Sequence, residues 1–461
     1  MSAQADVDTG TGPSRPRETA GTFGSLRIRN YRLFATAAAI SNTGTWMARI
    51  AQDWLVFSLT GSSFAVGVTT ALQFLPMLLF GLYGGVIADR YPKRRILLCT
   101  QAALGLLGLA LAVLALSGAV RVWQVYTVAF MVGAVIVVDN PTRQTFVVEM
   151  VGPAGVRNAV SLNSASFQVS RLVGPAVAGI VITTLSIGWA FLINGLSFLA
   201  PFAGLLLMRT SELHAVEPVP RGRGQLREGL RYVAGKPELI RPIVLVGFVG
   251  TFSLNFPIWL SAFANKVFHG GAGTYGLLNS LMAVGAVIGA LLAARHGRTQ
   301  LRLLLIGALL FGMIEVVAAL APVFWFFAVL MVPVGAFGLA FNTTANTIVQ
   351  LASDSGMRGR VMSLYMLVFL GGVPIGGPLT GWVTDACGPR IGFLTGGLIA
   401  AGASLGVGGT AIRMGRLRLR WNLRPGRGRT LLSVELRDKG SGAGRSCTAA
   451  PGNSAGSARA T

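Results

Sequence analysis

Arg49 and Asp53 stand four residues apart in an otherwise apolar stretch, so one helical turn can pair a guanidinium with a carboxylate. Ionisable groups are costly inside a membrane and are functional candidates there by default. A carboxylate in that setting can carry a proton, and a guanidinium can hold an anionic or carbonyl group. The bland alternative, a neutralised pair buried between helices, stays open at this point. Asn42, Thr45, Arg49, Gln52 and Asp53 recur at three- and four-residue spacing and share one helical face. A second stripe, Ser161, Ser164, Gln168 and Arg171, repeats the pattern further along, and Arg171 favours an anionic or carbonyl-rich partner. Asn255 and Asn342 are plausible polar donors in two later apolar stretches. Asn42, Thr45, Arg49, Gln52, Gln168, Arg171, Asn255 and Asn342 are thus the candidate substrate-cavity residues, with Asp53 as the proton-coupling candidate. Glu315 stands in another apolar run and has no assigned role.

The elements that must hold these residues are long apolar helices. A spanning helix needs about 20 apolar residues. Such stretches lie at about 32–58, 64–88, 96–117, 122–146, 158–184 and 188–208, and again at 241–265, 274–295, 301–321, 323–350, 360–384 and 389–412. The polar, basic segment 209–240 separates the two sets. The chain therefore divides into 1–28, a polar N-terminus expected to be disordered; 29–208, a six-helix bundle; 209–240, a central loop; 241–412, a second six-helix bundle; and 413–461, a basic and mostly disordered tail. The start lacks the apolar core of a cleaved signal peptide, so the first helix is expected to direct insertion.

Composition agrees. Of 461 residues 52% are hydrophobic and only 12% charged, against about 25% charged in soluble domains, so lipid must cover much of the surface. The net charge of +23 raises the question of nucleic-acid binding, and the placement of the cations answers it. Arg27, Arg29 and Arg32, then Arg90 and Lys93 to Arg95, then Arg143 and Arg157, the central loop, Arg295, Arg298 and Arg302, Arg358 and Arg360, and the tail all fall on alternate loops and both ends. The other loops hold only Arg121, Lys266 and Arg390. By the positive-inside rule both termini are cytoplasmic, in a multi-pass protein of the cytoplasmic membrane, and no separate basic domain remains for nucleic acid.

Half repeats half. Asn140 to Leu162 aligns with Asn342 to Leu364 at one constant offset, which also matches Gly174 with Gly376 and Gly179 with Gly381. Parallel six-helix repeats of this kind hold a substrate between them near the midplane.

Three motifs carry a resemblance. Gly85-Val86-Ile87-Ala88-Asp89-Arg90-Tyr91-Pro92-Lys93-Arg94-Arg95, after the second helix, resembles the G-x-x-x-D-R-x-x-R-R signature of the major facilitator superfamily. Gly174-Pro175 through Gly179 resembles the G-P-x-x-x-G motif of antiporters in that superfamily. Trp46-Met47-Ala48-Arg49, Asp139 to Gln144 and Asn158 to Asn163 resemble the branch of enterobactin exporters called transmembrane secretion effectors. The resemblance implies an all-α polytopic fold of twelve transmembrane helices in two pseudo-symmetric bundles. It implies a gate built on Gly85, Asp89, Arg90, Lys93 and Arg94, with Asp89 reaching Arg143, Arg358 or Arg360. It makes Gly174, Pro175 and Gly179 a helix-packing motif that closes a leak path. The Asp of the first gate is missing from the second-half loop Gly289 to Arg298, and the Arg that many drug/proton antiporters keep inside the fourth helix is Ala129 here.

The expected function is export of small amphipathic molecules of the drug, antibiotic or siderophore class by alternating access, as a proton antiporter working as a monomer in contact with membrane lipid. A nutrient importer or facilitator, and a non-transporting sensor, are the alternatives. ATP drive is disfavoured, since Gly235-Lys236 runs into Pro237 and forms no phosphate-binding loop. Cys99, Cys387 and Cys447 are far apart and the three histidines are scattered, so no disulfide framework, metal site, cofactor or enzyme activity is expected.

Overall fold

The structure, a computed structural model, describes residues 23–214, 225–295, 300–354, 356–413, 417–421 and 432–436. The first 22 residues of the expected disordered N-terminus, the Gly/Ser/Ala-rich end past 436, and 296–299 in the second-half loop lie outside the described residues.

Long helices dominate the unit that ends at Leu405. They are α1 (Arg29–Thr60), α2 (Ser63–Arg90) and α3 (Lys93–Leu116), followed by one 63-residue helical run, Val122–Thr184. That run breaks at Gly152, whose φ of 65° and ψ of 171° are not helical. It divides into α4 (122–151) and α5 (153–184), with Pro153 opening α5 where its missing N–H costs nothing. Then come α6 (Ile187–Leu206), α7 (Pro237–Val267), α8 (Ala272–Arg295), α9 (Leu301–Ala319), α10 (Phe324–Ala352), α11 (Arg358–Cys387) and α12 (Pro389–Arg413). Ten segments are apolar enough to cross a membrane as they stand. Dividing the long run at Gly152 and adding α1, whose interior Arg49 and Asp53 lower its hydropathy, gives twelve among the described residues.

Local chemistry sets the helix ends. Gly61 follows α1 in the left-handed region at φ 63° and donates its N–H to the Phe57 carbonyl, a C-terminal glycine stop. Ser62 then caps α2, its hydroxyl accepting from the Ala65 N–H. α7 is interrupted between Phe252 and Phe256, where the Asn255 amide donates to the Thr251 carbonyl at 2.7 Å.

The sequence repeat becomes a packing repeat. A Cβ on Gly174 would strike Trp46 and the Thr43 carbonyl of α1; one on Gly376 would strike the Thr251 carbonyl of α7. Gly179 lies on Gly273 and Gly276 of α8, and Gly381 on Ser63 and Phe64 of α2. Matched glycines therefore let α5 and α11 approach their counterparts in the same half and, one turn on, in the opposite half. Aromatic rings lock the second half, with Phe263 of α7 stacked on Phe327 of α10 at 4.5 Å and Phe393 of α12 edge-on to both Trp259 and Phe263.

On the outer helix α9 a Glu is expected either to be protonated or to snorkel toward the interface; Glu315 does not snorkel, for it is fully buried and neither carboxyl oxygen has a hydrogen-bond partner among the described residues. Gly312 and Gly397 draw α9 and α12 so close that its stem is enclosed between them.

The second unit, from Gly406, contains the end of α12 and two antiparallel strands, β1 (Leu417–Trp421) and β2 (Leu432–Leu436), with Leu417 opposite Leu436. The strands stand where a mostly disordered tail was expected. The alternation of Arg418 and Arg420 with Leu417, Leu419 and Trp421 is the two-residue period of a strand.

Candidate functional site

Alternate ends of the twelve helices carry the basic loops, so one end of the bundle is basic and the other is nearly free of cations. A cavity of about 480 Å³ is walled by α1 to α6 with Leu370 of α11; its lining brackets the mid-length of these helices and reaches Arg143, Gln144 and Val147 toward the basic end of α4. Such a volume suits a drug-sized ligand. Asn42, Thr45, Arg49 and Gln52 line it, as the spacing on α1 predicts. So do Gln73 and Met77 of α2, Asn163 and Phe167 of α5, and Asn194 of α6, which the sequence reading did not select. Gln73 and Asn194 could have been found as lone polar groups in apolar helices. Gln168, Arg171, Asn255 and Asn342 are not among the lining residues. On α5 it is the neighbouring face, Asn163 and Phe167, that turns to the cavity, and Asn255 is buried at the break in α7.

Arg49 and Asp53 do not form the ion pair that their spacing allows. Arg49 lies over the Trp46 ring, its guanidinium carbon 5.1 Å from the ring centre, and Arg171 lies over the same ring at 5.6 Å. Asp53, 6% exposed, instead accepts a hydrogen bond at 3.2 Å from the hydroxyl of Tyr275 on α8, in the other half. Tyr275 also stacks on Trp54.

The interactions that join the halves gather at the end opposite the basic loops. Asp385, at the last turn of α11, accepts from the Ser62 hydroxyl at 2.6 Å and from the backbone N–H groups of Ser63 and Phe64 at 2.9 Å each. A carboxylate from one half thus caps the positive end of a helix in the other. Lys266 of α7 pairs with the same carboxylate at 3.3 Å.

At the basic end, Lys93 and Arg94 of the gate motif are engaged within their own half. Lys93 pairs with Glu149 of α4, and Arg94 donates to the Leu205 and Leu206 carbonyls at the end of α6. Of the cations expected to receive Asp89, Arg143 pairs with Asp139 at 2.9 Å, Arg360 with Glu228 of a short helix in the central segment, and Arg358 donates to the Gln350 carbonyl. Asp89 and Arg90 are exposed, and Gly85 is buried beside Gly84, which meets the Val137 carbonyl of α4. Asp139 is buried and also accepts from Thr100 and Gln101 of α3. Between α10 and α11, the Tyr232 hydroxyl and Lys236 hold the Asp354 carboxyl below its ordinary range.

The pattern described as "Transmembrane secretion effector" matches residues 20–423. The chain is similar to the staphyloferrin A transporter of Staphylococcus aureus, 24% identical over 77% of this chain and 90% of that protein. It is 26% identical to the multidrug efflux pump Tap of Mycolicibacterium fortuitum, over 78% and 91%. It is 23% identical to the enterobactin exporter EntS of Citrobacter koseri, over 76% and 84%. Among solved structures, a bacterial homologue of the human lysosomal transporter Spinster superposes with a TM-score of 0.66 at 16% identity, covering 86% of this chain and 99% of that one. A POT family transporter in complex with a thioalcohol-conjugated peptide superposes at 0.67 and 12% identity, over 86% and 100%. Sequence pattern, helix count and fold agree: the chain is a multi-pass membrane transporter that belongs to the transmembrane secretion effector family of the major facilitator superfamily.

Proposed function

We propose that the protein exports small amphipathic molecules from the cytoplasm by alternating access, driven by proton entry. The observation that carries the reading is the asymmetry of the bundle: a central cavity that reaches Arg143 and Val147 toward the basic end of α4, and a seal of cross-half interactions at the other end. The positive-inside rule makes the basic end cytoplasmic, with both termini there. The cavity then faces the cytoplasm, ready to receive substrate. That relatives bear the names of siderophore and drug exporters supports the direction.

Asp53 is the proposed proton site. It sits at the seal, and its hydrogen bond to Tyr275 crosses from one half to the other. A proton gained or lost there changes a contact between the halves, which is what coupling requires. When the halves separate at this end, Asp385 and Asp53 give up their partners together, and the Asp89 loop at the opposite end closes on the second half. Asp89 with Gly85, Arg90, Lys93 and Arg94 is the proposed gate there, and Gly174, Pro175 and Gly179 hold α5 against α1 and α8 as the halves rock.

Inside-out membrane vesicles test the reading. Accumulation of a siderophore or lipophilic drug under an imposed proton gradient, abolished by a protonophore, is the expected result. Accumulation that persists unchanged with the protonophore, or net release where uptake is expected, would overturn it.

A further inference from the structure

We infer that Arg49 and Gln52, backed by Arg171, receive an anionic group, so that the exported molecule is an amphipathic organic anion. The inference rests on the export reading and names the substrate class of the same cavity. Two guanidinium groups face one indole. Arg49, from α1, and Arg171, from α5, lie 5.1 and 5.6 Å from the Trp46 ring centre, and the ring itself meets Phe167 edge-on at 5.7 Å. Stacking on an aromatic face leaves the edge of a guanidinium, with its forked N–H donors, available. Among the described residues, neither guanidinium has a carboxylate oxygen within 4.0 Å or a hydrogen-bond acceptor.

Asp139 holds Arg143 and the α3 side chains, and Asp53, one turn from Arg49 on α1, takes its hydrogen bond from Tyr275 and forms no ion pair with either guanidinium. A charged Arg within a bilayer is costly even by the mildest insertion scale. Two guanidinium groups that share at most this one carboxylate are therefore placed to meet an anion that arrives. Gln52, one turn beyond Arg49 and 8% exposed, adds a second signal: it lines the cavity, and its buried Nε2 has no acceptor. On α1 the wall thus offers donors, while the unpaired acceptor Asn194 Oδ1 belongs to α6; a group rich in lone pairs satisfies the α1 donors and an ammonium does not. A carboxylate fits the fork in bidentate fashion, and a sulfonate, phosphate or catecholate shares its charge and acceptors. Phe167 and Trp46 adjoin the charges, so the anion should carry an apolar or aromatic body. Arg49 lines the cavity and touches the ligand; Arg171 lies beyond Phe167 and contributes positive potential through the shared indole.

A matched pair of probes tests this: dansyl-phenylalanine, which carries a carboxylate, and its uncharged methyl ester, titrated by fluorescence against the purified protein in lipid nanodiscs, with empty nanodiscs subtracted. The wild type is expected to bind the acid at least about tenfold more tightly than the ester. Arg49→Gln should bring the two within about twofold, Arg171→Gln should reduce the preference partway, and Arg49→Lys should retain part of it, with thermal unfolding showing each variant folded. Equal binding of acid and ester, no saturable binding of the acid, or an undiminished preference in Arg49→Gln would overturn the inference. Anion binding without gradient-driven transport would leave the site standing and remove the export reading; gradient-driven export of cations alone would do the reverse.

Discussion

Arg49 and Asp53 illustrate how far residue spacing reaches. Four-residue spacing shows that both lie on one face of α1; Arg49 lines the cavity with Asn42, Thr45 and Gln52, whereas Asp53 is not among the lining residues. Spacing does not show their partners. Asp53 finds Tyr275, 222 positions away in the sequence, and Arg49 finds Trp46 one turn behind it. Intrahelical spacing sees only neighbours on the same helix, so contacts between halves are invisible to it. The same limit explains why Gln73 and Asn194 escaped notice and why Gln168 was expected on the cavity wall while Phe167 occupies it. If Asp53 carries the proton, Asp53→Asn keeps the size and the hydrogen-bonding capacity of the side chain and removes only its titration. Gradient-driven accumulation in vesicles should then fall to background while equilibration of substrate without a gradient persists. Wild-type accumulation in that variant would remove Asp53 from the coupling mechanism.

At the scale of elements, the internal repeat was the most informative signal in the sequence. One offset pairs Gly174 with Gly376 and Gly179 with Gly381, and the structure gives each pair equivalent helix contacts in opposite halves. Small residues let helix backbones touch, which is why these matched positions made this part of the fold legible. Gly152 was not: α4 and α5 read as two separate spans, as they are, but the sharp break between them at a single non-helical glycine was not foreseen. The strand pair in the tail was not legible because an alternation of Arg with Leu over five residues fits a basic segment lying on an anionic surface as well as a strand. The packing account makes a direct prediction. Gly376→Val would place two methyl groups on the Thr251 carbonyl of α7, and forcing that contact open should cost roughly 1–3 kcal/mol or more. A clear fall in thermal unfolding temperature and in the yield of monodisperse protein is the expected outcome, and unchanged stability would show that α7 and α11 are not in close contact.

For the whole molecule, charge and cavity give the bundle a direction. The basic loops, the cavity walled by α1 to α6, and the Asp385 cap on α2 order it along one axis from an open to a sealed end. Glu212, exposed just after α6, lies at the basic end. Glu212→Cys should react with a membrane-impermeant thiol reagent from the cytoplasmic side alone; labelling from outside intact cells would reverse the proposed orientation and with it the direction of transport. The central claim is that the halves part at the sealed end once in each cycle. A disulfide between Ser62→Cys and Asp385→Cys, made in a chain whose Cys99, Cys387 and Cys447 are replaced by serine, would staple the two halves where the Ser62 hydroxyl now meets the Asp385 carboxylate. The measurement is substrate transport before oxidation, after it, and after reduction. Loss of transport on oxidation with recovery on reduction is the predicted result; undiminished transport through a fully cross-linked protein would contradict alternating access at this seal.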